Sequence, residues 1–371
     1  MNKLLHGTVN LPGSKSESNR ALMIAAYGGF PLEVKNLSEA HDTVLLKKLL
    51  GDTSEVVDCE DAGTVVRFMM TCLAGKSGTW VLTGTERLCQ RPMAPLVGAL
   101  RQLGADISGT TLPLHIVGRS LKGGSVVLDA SQSSQFASSL LMAAPTWERG
   151  LRLDMTGNPV SVPYLEMTIK MMEYFGVQVI REGSALIVPH QSYQSRPVVV
   201  SADWSAASYW YEMMALSDGG ELLLKGLKPD SLQGDAVVSE WFKPLGVLTA
   251  FDSEGACLTK IPIEPQGLVF DFTHHPDLFP AVYATCFALG LDADFRGTSI
   301  LAGKESNRLE AMEIELSRIK EGVVLCAHGD HRIAMALASL WPVFGTIAVD
   351  NPSVVEKSYP GFWEEVNKFI L

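Results

Sequence analysis

Residues 11–20 read Leu-Pro-Gly-Ser-Lys-Ser-Glu-Ser-Asn-Arg and set two cations, Lys15 and Arg20, among the polar groups of Ser16, Ser18 and Asn19. Gly13 in a tight turn exposes backbone N–H groups, and Ala21-Leu22-Met23-Ile24-Ala25-Ala26 continues as a helix. A helix start with unpaired N–H groups, the positive end of the macrodipole and added cations attracts phosphate or carboxylate. The first Gly of G-x-x-x-x-G-K-[ST] is missing, so this is not a Walker loop. Read alone, the stretch fits either an oxyanion site or an ordinary capped helix with solvated cations.

Two carboxylates stand apart further on. Asp277 follows Pro276 just before a helix expected over 279–289, where a plain N-cap is the simplest role. Glu305 lies between Lys304 and Arg308, and such cations lower a carboxylate's pKa, which opposes work as a general acid. A solvated helix with i, i+3 ion pairing accounts for it equally well.

Eight further motifs follow in order. Asp61-Ala62-Gly63-Thr64 leads to Arg67, and Gln90-Arg91-Pro92-Met93 follows Glu86-Arg87. Ser133-Ser134-Gln135-Phe136 and Ser161-Val162-Pro163-Tyr164 come next, then Pro276-Asp277 and Lys304-Glu305-Ser306-Asn307-Arg308-Leu309. Asp330-His331-Arg332-Ile333-Ala334-Met335-Ala336 and Lys357-Ser358-Tyr359-Pro360 close the series. From about residue 3 to the C-terminus this pattern resembles the 5-enolpyruvylshikimate-3-phosphate synthase (EPSP synthase) family, and an ordered series is far more specific than any single motif.

The resemblance implies transfer of the enolpyruvyl group of phosphoenolpyruvate to the 5-hydroxyl of shikimate 3-phosphate, with release of phosphate and no metal or organic cofactor. It implies that Lys15, Gly63, Arg91, Gln135, Arg308, Arg332 and Lys357 hold phosphoenolpyruvate. Ser16, Arg20, Ser133, Ser134, Gln135, Ser161 and Lys304, with Lys15 and Asp277, hold shikimate 3-phosphate. Asp277 is then the base for the 5-hydroxyl, Glu305 the acid for the methylene carbon, and Lys15 the third catalytic residue. Arginine suits such anions because it grips them bidentately, whereas lysine is a mobile point charge. Gly63 lets an anion approach the backbone closely. Arg67 binds ligand or pairs with a neighbouring carboxylate. Glyphosate competes for the phosphoenolpyruvate site in this family. Asp61, Phe68 and Ile300 depart from the family pattern, and Phe68 could shift Gly63 and Thr64.

A recurring phrase positions these residues: an amphipathic helix, a glycine, then an alternating strand. It occurs at Gly104, Gly176 and Gly246, spaced 72 and 70 residues apart, with a fainter echo at Gly322. Glycine just past a helix end takes the left-handed conformation that stops it. The period suits a unit of two helices and several strands. The family fold implied is a two-domain inside-out α/β barrel, each domain three repeats of a βαβαββ-type unit. By that resemblance the domains are 14–201 and 1–13 with 202–371, joined by two short crossovers.

The 371 residues exceed one compact core. A hydrophobic content of 47% with 19% charged residues describes a globular chain. Net charge −11 argues against nucleic acid and acidic membrane partners. The partners expected are the two small-molecule substrates of the resemblance, and the protein is expected to be a monomer. Cysteines 59, 72, 89, 257, 286 and 326 show no C-x-x-C spacing and read as reduced, mostly buried thiols of a cytoplasmic protein. No N-terminal run resembles a signal peptide. The uncharged stretch 333–349 is interrupted by Pro342 and Gly345, which favours a buried helix followed by a core strand over a membrane span. His274, His275, His328 and His331 fit no metal spacing, so no metal is expected.

Two other readings compete. The sister enolpyruvyl transferases acting on UDP-N-acetylglucosamine carry a Lys-Asn pair in the first loop, where this chain has Lys15-Ser16. A phosphosugar-binding module would keep Lys15, Arg20 and Ser133-Ser134-Gln135 with no need for Asp277 and Glu305.

Overall fold

The computed structural model describes residues 3–320 and 322–370. The chain forms two compact units. Unit 1 combines the chain up to Lys15, Asn36–His41 and everything from Val200 onward; unit 2 comprises Ser16–Lys35 and Asp42–Val199.

Unit 2 contains two full βαβαββ copies. In the first, strand Val56–Asp58, helix Gly63–Gly75, strand Gly78–Thr83 and helix Ala94–Gln102 precede the hairpin Asp106–Ser108 and Leu114–Gly118. The first two strands pair in parallel, and the last strand inserts antiparallel beside the second. The second copy repeats that order with strands Gly124–Asp129, Leu151–Thr156, Ile180–Glu182 and Ala185–Val188 around helices Ser134–Ala143 and Val162–Tyr174. A reduced third copy has only the parallel pair Val34–Lys35 and Val198–Val199.

Unit 1 carries one full copy. Strand Leu4–Asn10 pairs in parallel with Gly219–Lys225, which pairs antiparallel with Gly255–Lys260 and through it with Val247–Phe251. All of unit 2 is inserted between this copy's first strand and its first helix, Trp204–Leu216. Two reduced copies follow, each with one parallel pair: Val269–Asp271 with Asp294–Arg296, and Val324–Leu325 with Ala348–Val349.

Within each unit the helix after the first strand of a copy is the buried element. All 13 residues of Trp204–Leu216 and all nine of His331–Ser339 are buried. A helix buried on every side has no face in solvent, so it runs through the core of its unit and the sheets lie outside it. The strands show the other half of this inside-out arrangement: Leu114–Gly118 alternates buried and exposed, with one face on the core and one in solvent.

The stretch 333–349 forms helix His331–Ser339, a short helix Trp341–Phe344 entered through Pro342, and strand Ala348–Val349. No helix among the described residues is long and apolar enough to cross a membrane. All six cysteines are free thiols, but only Cys59 and Cys286 are fully buried; Cys72, Cys89, Cys257 and Cys326 are partly exposed.

Candidate active site

In unit 2 the first motif opens helix Lys15–Gly28, and Arg20 faces inward, fully buried. Its guanidinium donates to Thr168 Oγ1 at 2.7 Å, to Ser16 O at 2.9 Å and to Tyr164 O at 3.0 Å, all neutral acceptors. The ring of Phe68 packs 5.8 Å from it. Burial lowers the Arg20 pKa to about 10, so it stays cationic at neutral pH but is costly to hold dry. Tyr164 and the buried Glu17 of the same helix work against that burial cost. Phe68 is itself fully buried beneath this group.

Gln135 sits in the first turn of helix Ser134–Ala143, whose N-cap Ser133 accepts the Gln135 N–H at 3.2 Å. Its amide is oriented from both ends: Oε1 accepts from Arg67 at 2.5 Å and Nε2 donates to Thr64 Oγ1 at 2.9 Å. Arg67 therefore serves at least to position Gln135. Ser161, at the start of helix Val162–Tyr174, has φ +53°, a left-handed conformation strained for a side chain bearing a Cβ. Arg91 is buried after the short helix Glu86–Cys89. A Cβ on Gly63 would lie 2.2 Å from Arg91 Nη1, so the group that closes on Gly63 in this structure is the Arg91 guanidinium.

In unit 1 the charged residues converge on Arg308, which is 1% exposed and starts helix Arg308–Ser317. Its three nitrogens bind three acids: Nη1 to Asp277 Oδ1 at 2.8 Å, Nη2 to Glu305 Oε2 at 2.9 Å, and Nε to Asp330 Oδ2 at 2.9 Å. Asp277 is also bound through Oδ2 by Arg332 at 2.7 Å. Asp277 is not the N-cap suggested by its position, because Leu278 takes that place and the carboxylate turns to the arginines. Glu305 makes the i, i+3 ion pair with Arg308, but from the loop before the helix and only 15% exposed.

Burial alone would raise the Asp277 pKa; Arg332, Arg308 and Lys304 outweigh it and hold the carboxyl well below its ordinary range. Burial likewise opposes the Arg308 charge, and Asp330, Asp277 and Glu305 overcome it, raising that group. Asp330 was not a candidate from sequence. It caps helix His331–Ser339 by accepting the Arg332 N–H at 2.9 Å, and it also accepts from Ser306 Oγ at 3.2 Å. Its position before a helical run signals a cap; its hold on Arg308, 22 residues earlier, had no sequence signal. His331 is buried beside this cluster, and burial with the nearby Lys15 and Arg332 keeps it neutral. Lys357 is buried at the end of the turn Pro352–Lys357, and Lys304 follows the turn Thr298–Gly303 half-buried. Lys15 is half-buried where the chain leaves unit 1. Among the described residues no group of three or more His, Cys, Asp or Glu side chains is placed to hold a metal ion.

Within unit 2 the structure thus brings Gln135 to Arg67 and Thr64, Arg20 to Ser16 and Tyr164, and Gly63 to Arg91. Within unit 1 it brings Asp277, Glu305, Arg308 and Arg332 into one ion-pair network.

The class of protein is thus an inside-out α/β fold in which arginines and acids cluster into one buried ion-pair network of unit 1. The chain belongs to the EPSP synthase (3-phosphoshikimate 1-carboxyvinyltransferase) family, whose model matches residues 1–54 and 45–366. It is 39% identical to a 3-phosphoshikimate 1-carboxyvinyltransferase of Bacteroides fragilis, with 98% of this chain and 95% of that protein covered. It is 34% identical to one from Methanoculleus marisnigri, covering 83% of this chain and 78% of that protein. A solved EPSP synthase from Acinetobacter baumannii shares the fold, with a TM-score of 0.75 at 22% identity over 99% of this chain and 96% of that one.

Proposed function

We propose that the chain transfers the enolpyruvyl group of phosphoenolpyruvate to the 5-hydroxyl of shikimate 3-phosphate and releases phosphate, a step toward aromatic amino acids. Lys15, Ser16, Arg20, Ser133, Ser134, Gln135, Ser161, Asp277 and Lys304 hold shikimate 3-phosphate. Lys15, Gly63, Arg91, Gln135, Arg308, Arg332 and Lys357 hold phosphoenolpyruvate. The protein acts as a cytoplasmic monomer on these two small molecules.

One observation carries the reading: two of the three acids bound to Arg308 are Asp277 and Glu305, the pair needed for proton transfer. In this scheme Asp277 accepts the 5-hydroxyl proton as that oxygen attacks the second carbon of phosphoenolpyruvate. Protonated Glu305 delivers a proton to the methylene carbon, making a methyl group and a tetrahedral adduct. The Glu305 carboxylate then removes a methyl proton as the bond to phosphate breaks and the double bond re-forms. Anionic ligands compete with Asp277 and Glu305 for the arginines, so binding itself frees the acids to take up protons.

The test is phosphate release from phosphoenolpyruvate with shikimate 3-phosphate or UDP-N-acetylglucosamine as acceptor, with exchange of methylene protons against deuterium read in parallel. Turnover is expected with shikimate 3-phosphate alone. Glu305→Gln is expected to slow both turnover and exchange on the order of 100- to 10,000-fold, the usual effect of removing a positioned acid. Parental exchange in Glu305→Gln would leave Glu305 as an ion-pair partner only.

A further inference from the structure

The two crossovers that join the units meet as a laced ribbon inside unit 1. Ser14 N–H donates to Ser201 O at 2.8 Å, Asp203 N–H donates to Pro12 O at 2.9 Å, and Gly13 forms an antiparallel bridge with Ala202. Gln233 grips the peptides on either side of Asp203: Nε2 donates to Ala202 O and Oε1 accepts the Trp204 N–H, both at 2.8 Å. Asp203 is buried, and its backbone has no freedom left.

Its carboxylate faces two helix starts. Oδ1 accepts the Ala206 N–H at 2.9 Å, capping helix Trp204–Leu216, and Oδ2 accepts the N–H of Lys15, the first residue of helix Lys15–Gly28, at 3.2 Å. Capping one helix requires a single oxygen. The second oxygen, spent on the backbone of Lys15, has no part in the fold of helix Trp204–Leu216.

We infer that Asp203 is a positioning residue for the enolpyruvyl transfer: through the Lys15 N–H it fixes where the Lys15 side chain starts, and so where its ammonium meets the bound anions. This rests on the role of Lys15 proposed above. Burial raises the pKa of Asp203 while the N–H bonds and Arg332 pull it back, so the acceptor pair depends on this polar surrounding.

Serine separates the two duties, because it caps a helix as well as aspartate does but offers one oxygen. In the full chain, Asp203→Ser is expected to keep its thermal midpoint within a few degrees and to lose about 10-fold in kcat/KM, the effect of one hydrogen bond to a charged group. In a Lys15→Arg background the same change is expected to cost less than about 2-fold, since coupled residues are not additive. Parental kinetics in Asp203→Ser, or an equal loss in both backgrounds, overturns the inference. Parental kinetics in Lys15→Arg and Lys15→Ala overturns the role of Lys15 instead. Should Asp203→Ser not fold, Asp203→Asn takes its place in the same cycle: its single acceptor oxygen cannot serve both N–H groups, so the same loss and the same non-additivity are expected.

Discussion

Asp277 Oδ2 lies 2.7 Å from Arg332 Nη2, so the residue proposed to act as a base is held between two guanidinium groups. Both of its oxygens are engaged by arginines, and it keeps only 20% of its side chain exposed. The bond to Arg332 is a brake on basicity that an incoming phosphate or carboxylate would release.

Removing one arginine should show this. With Arg332→Gln the Asp277 carboxyl is expected to titrate at higher pH than in the parent, followed through its carboxyl carbon resonance against pH, as one of the charges holding it down is gone. A carboxyl with a depressed folded pKa contributes stability that is complete above its unfolded value, about 3.9, and is lost as pH falls through the folded one. Asp277→Asn is therefore expected to destabilise the protein in urea at pH 7, with the gap to the parent closing below about pH 4. An unchanged gap down to pH 2 would show that the arginines are satisfied without Asp277.

Gly63→Ala provides a second check. The added methyl meets the end of a flexible guanidinium rather than backbone, so the protein is expected to fold with its thermal midpoint nearly unchanged. What moves is Arg91. Loss of one charge-assisted contact corresponds to roughly 10-fold or more in binding, so the KM for phosphoenolpyruvate and the inhibition constant for glyphosate are both expected to rise. Steady-state kinetics with glyphosate as a competitor decides it; equal values in both proteins would mean that Arg91 does not touch the ligand.

Glu212 yields a prediction unrelated to catalysis. It lies on helix Trp204–Leu216 with no exposure, and neither carboxylate oxygen has a hydrogen-bond partner among the described residues. Burial raises its pKa well above the ordinary range, so the folded protein keeps a proton that the unfolded chain releases. Stability must then fall as pH rises past the unfolded value, by about 1.4 kcal/mol per pH unit until the folded pKa is reached. Glu212→Gln removes this term. Urea midpoints at pH 5 and pH 8 are expected to differ little between parent and variant at the lower pH, with the variant ahead at the higher. A gap that does not widen would place a hidden partner beside Glu212.

Part of this architecture was legible because one backbone requirement recurs. Gly104, Gly176 and Gly246 have φ of +89°, +87° and +93°, and each stands between the second helix of a full copy and its hairpin. Gly322, with φ +77°, lies between helix Arg308–Ser317 and strand Val324–Leu325. A left-handed residue costs little only as glycine, so the repeat marks the sequence. The reduced copies left less trace: strands such as Val324–Leu325 are too short to alternate. The charged motifs likewise named the residues but not their partners. That Arg308 binds Asp277, 31 residues away, and that Gly63 yields its space to Arg91, are consequences of packing. The double duty of Asp203 is further still from sequence, since only one of its two N–H donors is a neighbour in the chain.

The pairing of Leu4–Asn10 with Gly219–Lys225 spans about 215 residues, and it bears on how the protein is made. At roughly 5 to 20 residues per second, a ribosome needs about 10 to 40 s to deliver the partner of a strand it produced first. Residues 42–199 emerge in that interval with both full copies of unit 2 complete in themselves. The first strand of the chain thus spends its early life as an unpaired edge, and its unit closes only after the other unit has left the ribosome.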